Sequence, residues 1–486
     1  MPSFPQVNHR FWICAGIFVM LVGWLLIWPY TGDGDSMLHY WNLRHSFGDP
    51  RQGLTSWARP LFVLTMMFPA RGGVFAVRCF AALLTTILTW QTMRLADDLE
   101  IPRATMAGPL LIFQPLVFAL ASDTMTELPM ALGTVIALRL WFARKYAFSC
   151  LVVSFLPLLR PEGFFIAPFW GLFLLFLPLR TGFPKLLARL GIGTLLATGM
   201  ICQIAVCYWV TNDGLYFIHA WSWPAYMPSY VGGSFWHHFI RWPGYCGWIL
   251  FPLFVLGIRP SLNRKMALPW VIWGVVFMTH TILFWRGAFG AIGLMRILAS
   301  TSPVTAVIML YGWNFLLGIE WVQRLRPVWH RLLPVALVLA AAATAMVYYY
   351  ADAVHHRCFG ARQAANYVRQ NNLTADAPRF FVGDPMVLAA LDYPDFDERL
   401  VINRFDRLQL RQLADLPLGS IGVWDNQQGQ MWHNVKPEEL SDLGYTTLFT
   451  TSKSVRVYYL IDNLLPTGSW TMDIRFVVVR KDRAAK

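Results

Sequence analysis

The stretch Thr31–Pro50, TGDGDSMLHYWNLRHSFGDP, begins where the first long apolar run of the chain stops, at Trp28-Pro29. Two carboxylates, Asp33 and Asp35, stand one residue apart and lead into Tyr40, Trp41, Asn42 and Arg44. On an extended segment, residues two apart point the same way, so both acids could face one cavity. A polar Gly-Asp turn leaving a membrane would use the same letters. Position separates the two readings: acids set at a membrane surface beside aromatic and basic residues suit chemistry there better than conduction through a pore.

Outward from this stretch, apolar runs near the roughly 20 residues needed to cross a bilayer recur through the first 350 positions. The chain has 486 residues, 56% hydrophobic and only 14% charged, against about a quarter charged in soluble proteins. Eleven spans are expected, near 11–29, 73–94, 105–121, 127–143, 147–159, 164–179, 188–210, 245–258, 267–285, 297–318 and 332–350. The fold class is therefore mostly α, a polytopic helical membrane domain over residues 1–350. Residues 351–486 alternate helix and strand patterns, which predicts a small extracytoplasmic α/β domain. Expected strands there are 379–382, 400–403, 421–424, 445–450, 455–461 and 474–479.

The formal net charge is +13. The Lys and Arg residues fall mostly in short loops on one side, the positive-inside pattern, so orientation and not nucleic acid accounts for them. This places the N-terminus in the cytoplasm of an inner (plasma) membrane and the first long loop and the tail outside. Seven scattered cysteines give no disulfide framework. Five outer-face histidines, His39, His45, His219, His237 and His238, lack a convincing metal spacing.

Four segments on the outer face carry candidate chemistry. Asp35 and Asp33 are candidate general bases for an incoming hydroxyl, or ligands of a divalent cation (Mg²⁺, Mn²⁺ or Ca²⁺). Asp123 and Glu127 bracket a six-residue connection, where they either cap a helix or serve the site. Arg160-Pro161-Glu162-Gly163 puts a cation and an acid between two short apolar runs. Such charges usually face a cavity or each other; Arg160 either pairs with Glu162 or grips a phosphate with its planar fork. Arg286 and Arg296 flank a glycine-containing outer segment before Ser302-Pro303; anionic headgroups or a bound lipid phosphate would explain cations there. A loop at Thr211–Gly244 is crowded with aromatics, Trp221 and Trp223 among them.

Together these segments resemble the GT-C superfamily of integral-membrane glycosyltransferases, in particular the bacterial branch that includes the mycobacterial terminal arabinofuranosyltransferases. The resemblance rests on Asp33-Gly34-Asp35, Tyr40-Trp41-Asn42-Leu43-Arg44, Thr55-Ser56-Trp57-Ala58-Arg59-Pro60-Leu61, Arg160-Pro161-Glu162-Gly163 and the run from Gly290 through Arg296 to Pro303. It covers roughly the whole chain in short motifs, of which Arg-Pro-Glu-Gly is the most specific. The family often has adjacent acids where this chain inserts Gly34, and Asp35 is favoured as the catalytic one.

The resemblance implies inverting transfer of a sugar, pentose or hexose, from a polyprenyl-phosphate donor to a glycan, glycolipid or protein acceptor outside the cytoplasm. It implies Asp35, with Asp33 beside it, as base, and Arg160, Arg286 and Arg296 on the donor phosphate. Tyr40, Trp41, Arg44, Glu127, Glu162, Trp221 and Trp223 would contact acceptor or sugar. No cofactor is demanded, and a divalent cation stays open. The rival reading is a transporter or flippase of a lipid-linked or anionic solute; the hydropathy lacks the inverted repeat such a device uses.

Overall fold

The structure, a computed structural model, describes residues 9–27, 34–55, 57–176, 183–220, 232–288, 291, 293–324, 326–350, 353–393, 399–402, 409–427, 429–430, 435–458 and 469–484. Among these, six helices are long and apolar enough to cross a bilayer: His9–Ile27, Gly73–Asp98, Leu186–Thr211, Arg264–Arg286, Met295–Leu317 and Pro327–Tyr348. The helices His237–Cys246 and Phe251–Ser261 are together apolar enough for a further, broken span or a re-entrant loop and meet at a bend of 108°, where Gly247 takes a positive φ of 82°. The chain is an integral membrane protein.

Several of the eleven expected spans are thus broken or shorter helices, not single helices long enough to cross alone. The run at 105–121 breaks into Ala104–Met106, Ala107–Ile112 and Pro115–Leu120. Pro109 and Pro115 each lack the N–H that would carry one helix through. The run at 127–143 forms Glu127–Phe142, 16 residues and so about 24 Å long, short of the roughly 30 Å hydrocarbon layer. The fifth and sixth runs form the short helices Tyr146–Leu158 and Glu162–Leu175. Hydropathy counts apolar residues whether they face lipid or protein, and the Glu127 helix buries its own against neighbours, with Leu128, Met130, Ala131, Val135 and Leu138 all in the core.

The tail forms one five-stranded sheet from β1 (Phe380–Val382), β2 (Leu400–Ile402), β3 (Ile421–Asp425), β4 (Tyr445–Tyr458) and β5 (Ser469–Lys481), in the order β2-β1-β3-β5-β4. β1 pairs parallel with β2 and β3, whereas β5 runs antiparallel to β3 and β4. The expected strands at 445–450 and 455–461 are one strand, bulged between Thr447 and Phe449. Alternate residues feed two cores: Phe380, Val382, Phe476 and Val478 face one, Phe381, Val477 and Val479 the other, as the two-residue strand period requires.

The element that joins sheet and membrane part is the first-loop helix Gly34–His45. Tyr40 and Leu43, three residues apart, pack into the membrane core. Met37 and Trp41, four apart, pack into the tail core with Cys358, Ala361 and Met386. These spacings put each pair on its own helix face, so one helix is wedged between both bodies and its N-terminal turn is fixed by both.

Candidate active site

Three helix N-termini meet beneath that wedge, and each carries an acid in its first turn: Asp35, Glu127 and Glu162. The unsatisfied N–H groups of a first turn favour negative charge. Three arginines come from outside regular α-helix. Arg59 and Arg160 each precede a proline, a position pushed away from helical conformation, and Arg296 lies on the 3-10 turn Met295–Thr301.

Arg160 is the hub. Its Nη1 stands 2.9 Å from Glu127 Oε1 and donates to Thr126 Oγ1 at 2.8 Å, while its Nε donates to Glu162 Oε1 at 2.9 Å. His280 Nε2 donates to the same Glu162 oxygen at 2.6 Å. All four charged or titratable side chains are buried or nearly so. Gly163 completes the Arg-Pro-Glu-Gly motif because its Cα approaches backbone: an added Cβ would lie 2.3 Å from Pro157 N. On the other side Arg296 pairs with Asp35, and its Nε lies 3.9 Å from Glu127 Oε1.

Asp35 keeps 41% of its side chain solvent-accessible among these charged neighbours. Burial pushes its carboxyl up to about 6, helped by the nearby Glu127 charge and opposed by Arg357 from the tail. Burial with repulsion from Arg160 lowers Arg59 to about 10. The Arg59 backbone sits at φ 62°, ψ 85°, left-handed space that costs a non-glycine residue about 1–3 kcal/mol. Beside it, His39 stacks on Trp57 at 4.3 Å between ring centres, and burial with the Arg59 and Arg160 charges drives it down to about 3.

The sequence candidates separate accordingly. Asp35, Glu127, Arg160, Glu162 and Arg296 form one ion-pair cluster. Asp123 belongs to a different pair, with the buried Arg78 at 3.4 Å, and the N-cap position of the Glu127 helix is Thr126. Arg286 stands at the exposed end of its helix, its guanidinium 4.2 Å above the Trp285 ring. Tyr40 and Trp41 are buried in the two cores, and Arg44 donates to Tyr40 Oη at 2.8 Å and reaches Asp392 at 3.6 Å. Asp33, Trp221 and Trp223 lie outside the described residues. Among the described residues, no three His, Cys, Asp or Glu side chains gather as a metal site.

Arg59 and His280 are the members that sequence reasoning passed over. Arg59 had a signal, Arg-Pro, which repeats at Arg160-Pro161. His280 had one as well, an ionisable residue inside an apolar span.

Convergent helix N-termini thus bring three acids and three arginines together where a helical membrane part meets an α/β tail. No family model and no curated protein sequence matches the chain. Two solved structures share the fold, both of ArnT from Cupriavidus metallidurans. The form bound to undecaprenyl phosphate aligns over 99% of this chain and 100% of that one, at 13% identity and a TM-score of 0.60. The apo form aligns over 96% and 98%, at 13% identity and a TM-score of 0.57.

Proposed function

We propose that this protein is a polyprenyl-phosphate-dependent glycosyltransferase of the membrane. The observation that carries the reading is the Asp35–Arg296 pair, in a fold shared end to end with a protein solved bound to undecaprenyl phosphate. In this reading the donor phosphate meets Arg296 and Arg59, whose charges sit at the junction of membrane part and tail. Arg160 is spent on Glu127, Glu162 and Thr126 and braces the others.

The transfer step balances simply. The acceptor hydroxyl oxygen attacks the anomeric carbon as the bond from that carbon to the phosphate oxygen breaks. The hydroxyl proton passes to Asp35, and polyprenyl phosphate leaves with one more negative charge, which the arginines neutralise. A carboxyl near 6 suits this role, being ionised at neutral pH yet basic enough to take the proton. Inversion, an outward-facing site, a cytoplasmic N-terminus and an extracytoplasmic glycan, glycolipid or protein acceptor belong to the same proposal, as does a pentose or hexose donor, arabinofuranosyl or mannosyl.

The test is transfer from radiolabelled polyprenyl-phosphate arabinofuranose, mannose and glucose in membranes carrying wild type or Asp35→Asn. The expected result is transfer from one donor, reduced at least about 100-fold in the variant. Equal transfer by both proteins would remove Asp35 from the chemistry. Neither turnover nor saturable donor binding by wild type would return the transporter reading.

A further inference from the structure

Polar contacts within 4 Å connect His280, in the last third of the helix Ala267–Arg286, to Asp35. The path runs His280, Glu162, Arg160, Glu127, Arg296, Asp35, with links of 2.6 Å, 2.9 Å, 2.9 Å and 3.9 Å before the final Arg296–Asp35 pair. Charges alternate along it from Glu162 onward, and His280 is its membrane-side terminus. Glu162 Oε1 accepts from both His280 and Arg160, whereas Oε2 is buried without a hydrogen-bond partner. The carboxylate is therefore pinned through a single oxygen by two donors on different elements. Remove His280 and Glu162 loses one of the two side-chain donors that set its orientation.

From this geometry we infer that His280 is a positioning residue for transfer, holding Glu162 so that Arg160 stays on Glu127 and Arg296 stays on Asp35. The inference rests on the transferase reading for its kinetic consequence, but its structural consequence does not. Its reasoning is electrostatic competition. Glu127 has two cations within reach, Arg160 at 2.9 Å and Arg296 at 3.9 Å. If Arg160 slips from Glu127, the uncompensated acid draws Arg296 toward itself and away from Asp35. The links from Glu162 to Arg160 and from Arg160 to Glu127 are buried and charge-assisted, so a displacement of Glu162 is felt at Glu127, and the Arg296 charge responds to it.

Packing alone would also require a side chain of this size at 280, and the choice of variants separates the causes. His280→Gln keeps an N–H donor near the position of Nε2; His280→Phe keeps a flat ring and removes the donor. The experiment measures transfer kinetics and, separately, carbodiimide labelling of Asp35 at pH 7, a reaction that needs the protonated carboxyl. The expected result for His280→Phe is kcat at least tenfold lower, donor KM within twofold, and Asp35 labelled about threefold faster because it has lost its cation. His280→Gln is expected within threefold of wild type in kcat and unchanged in labelling.

His280→Phe matching wild type in labelling, with His280→Gln alike, would overturn the inference whether or not the protein transfers sugar. A His280→Gln variant as impaired as His280→Phe would overturn it too, because retention of the donor would then count for nothing. Absence of any transfer by wild type, with the labelling difference intact, would overturn the transferase reading and leave His280 as the residue that positions the Asp35 pair.

Discussion

Asp35 and Arg59 show how little of a residue's chemistry lies in its identity. Asp35 is one of 27 acids in the chain, yet burial and Glu127 raise it to about 6. A base works deprotonated, so we expect kcat/KM to fall about tenfold per pH unit below about 6 and to level off above it; a pH–rate profile checks this. Arg59 is held at φ 62°, where glycine would rest without strain. Arg59→Gly should leave thermal stability equal or slightly raised while cutting transfer about 100-fold, which would separate its charge from its fold role. A variant that unfolds early would contradict the strain argument.

At the scale of elements, close approach governs the membrane part. Helices Phe251–Ser261 and Ser302–Leu317 cross with Gly257 and Gly312 in the contact. A Cβ at Gly312 would lie 1.9 Å from Leu253 O, and one at Gly257 the same distance from Ile308 O. Neither backbone can yield without parting the helices, the small-residue packing by which membrane helices associate. Gly312→Ala should therefore destabilise by about 1–3 kcal/mol, whereas Gly274→Ala, with nothing within 4 Å of its Cβ, should gain up to about 1 kcal/mol of helix propensity. Thermal unfolding in detergent compares the two. The wedge helix Gly34–His45 follows the same logic with large residues, committing Tyr40 to one core and Trp41 to the other.

For the whole molecule, the decisive feature is that five segments separated in sequence deliver one balanced cluster. Three acids and three arginines meet with their charges matched, which makes them poor ligands for a further cation. We propose that transfer proceeds without a divalent ion and expect EDTA to leave the rate within twofold, measured on washed membranes. A loss restored by Mg²⁺, Mn²⁺ or Ca²⁺ alone would show that a metal displaces the arginines. The tail is part of the same balance: Arg357, buried and paired with Asp384, opposes the rise of Asp35.

By itself the sequence determined the class of fold and most of the cast. Apolar runs, one-sided positive charge and a tail of alternating periodicity are local properties, and local patterning suffices to announce a membrane part with an α/β tail. Arg-Pro-Glu-Gly was legible for the same reason, since charge beside a proline in an apolar stretch is conspicuous alone. Tertiary structure decided how many runs cross and which charges meet. Whether an apolar helix faces lipid or protein depends on its neighbours, so Glu127–Phe142 could be counted as a span until its packing was known. Asp123 and Glu127 are near-equivalent in the sequence, yet one binds Arg78 and the other Arg160. Partner choice is set by contacts across the fold, and no spacing along the chain encodes it.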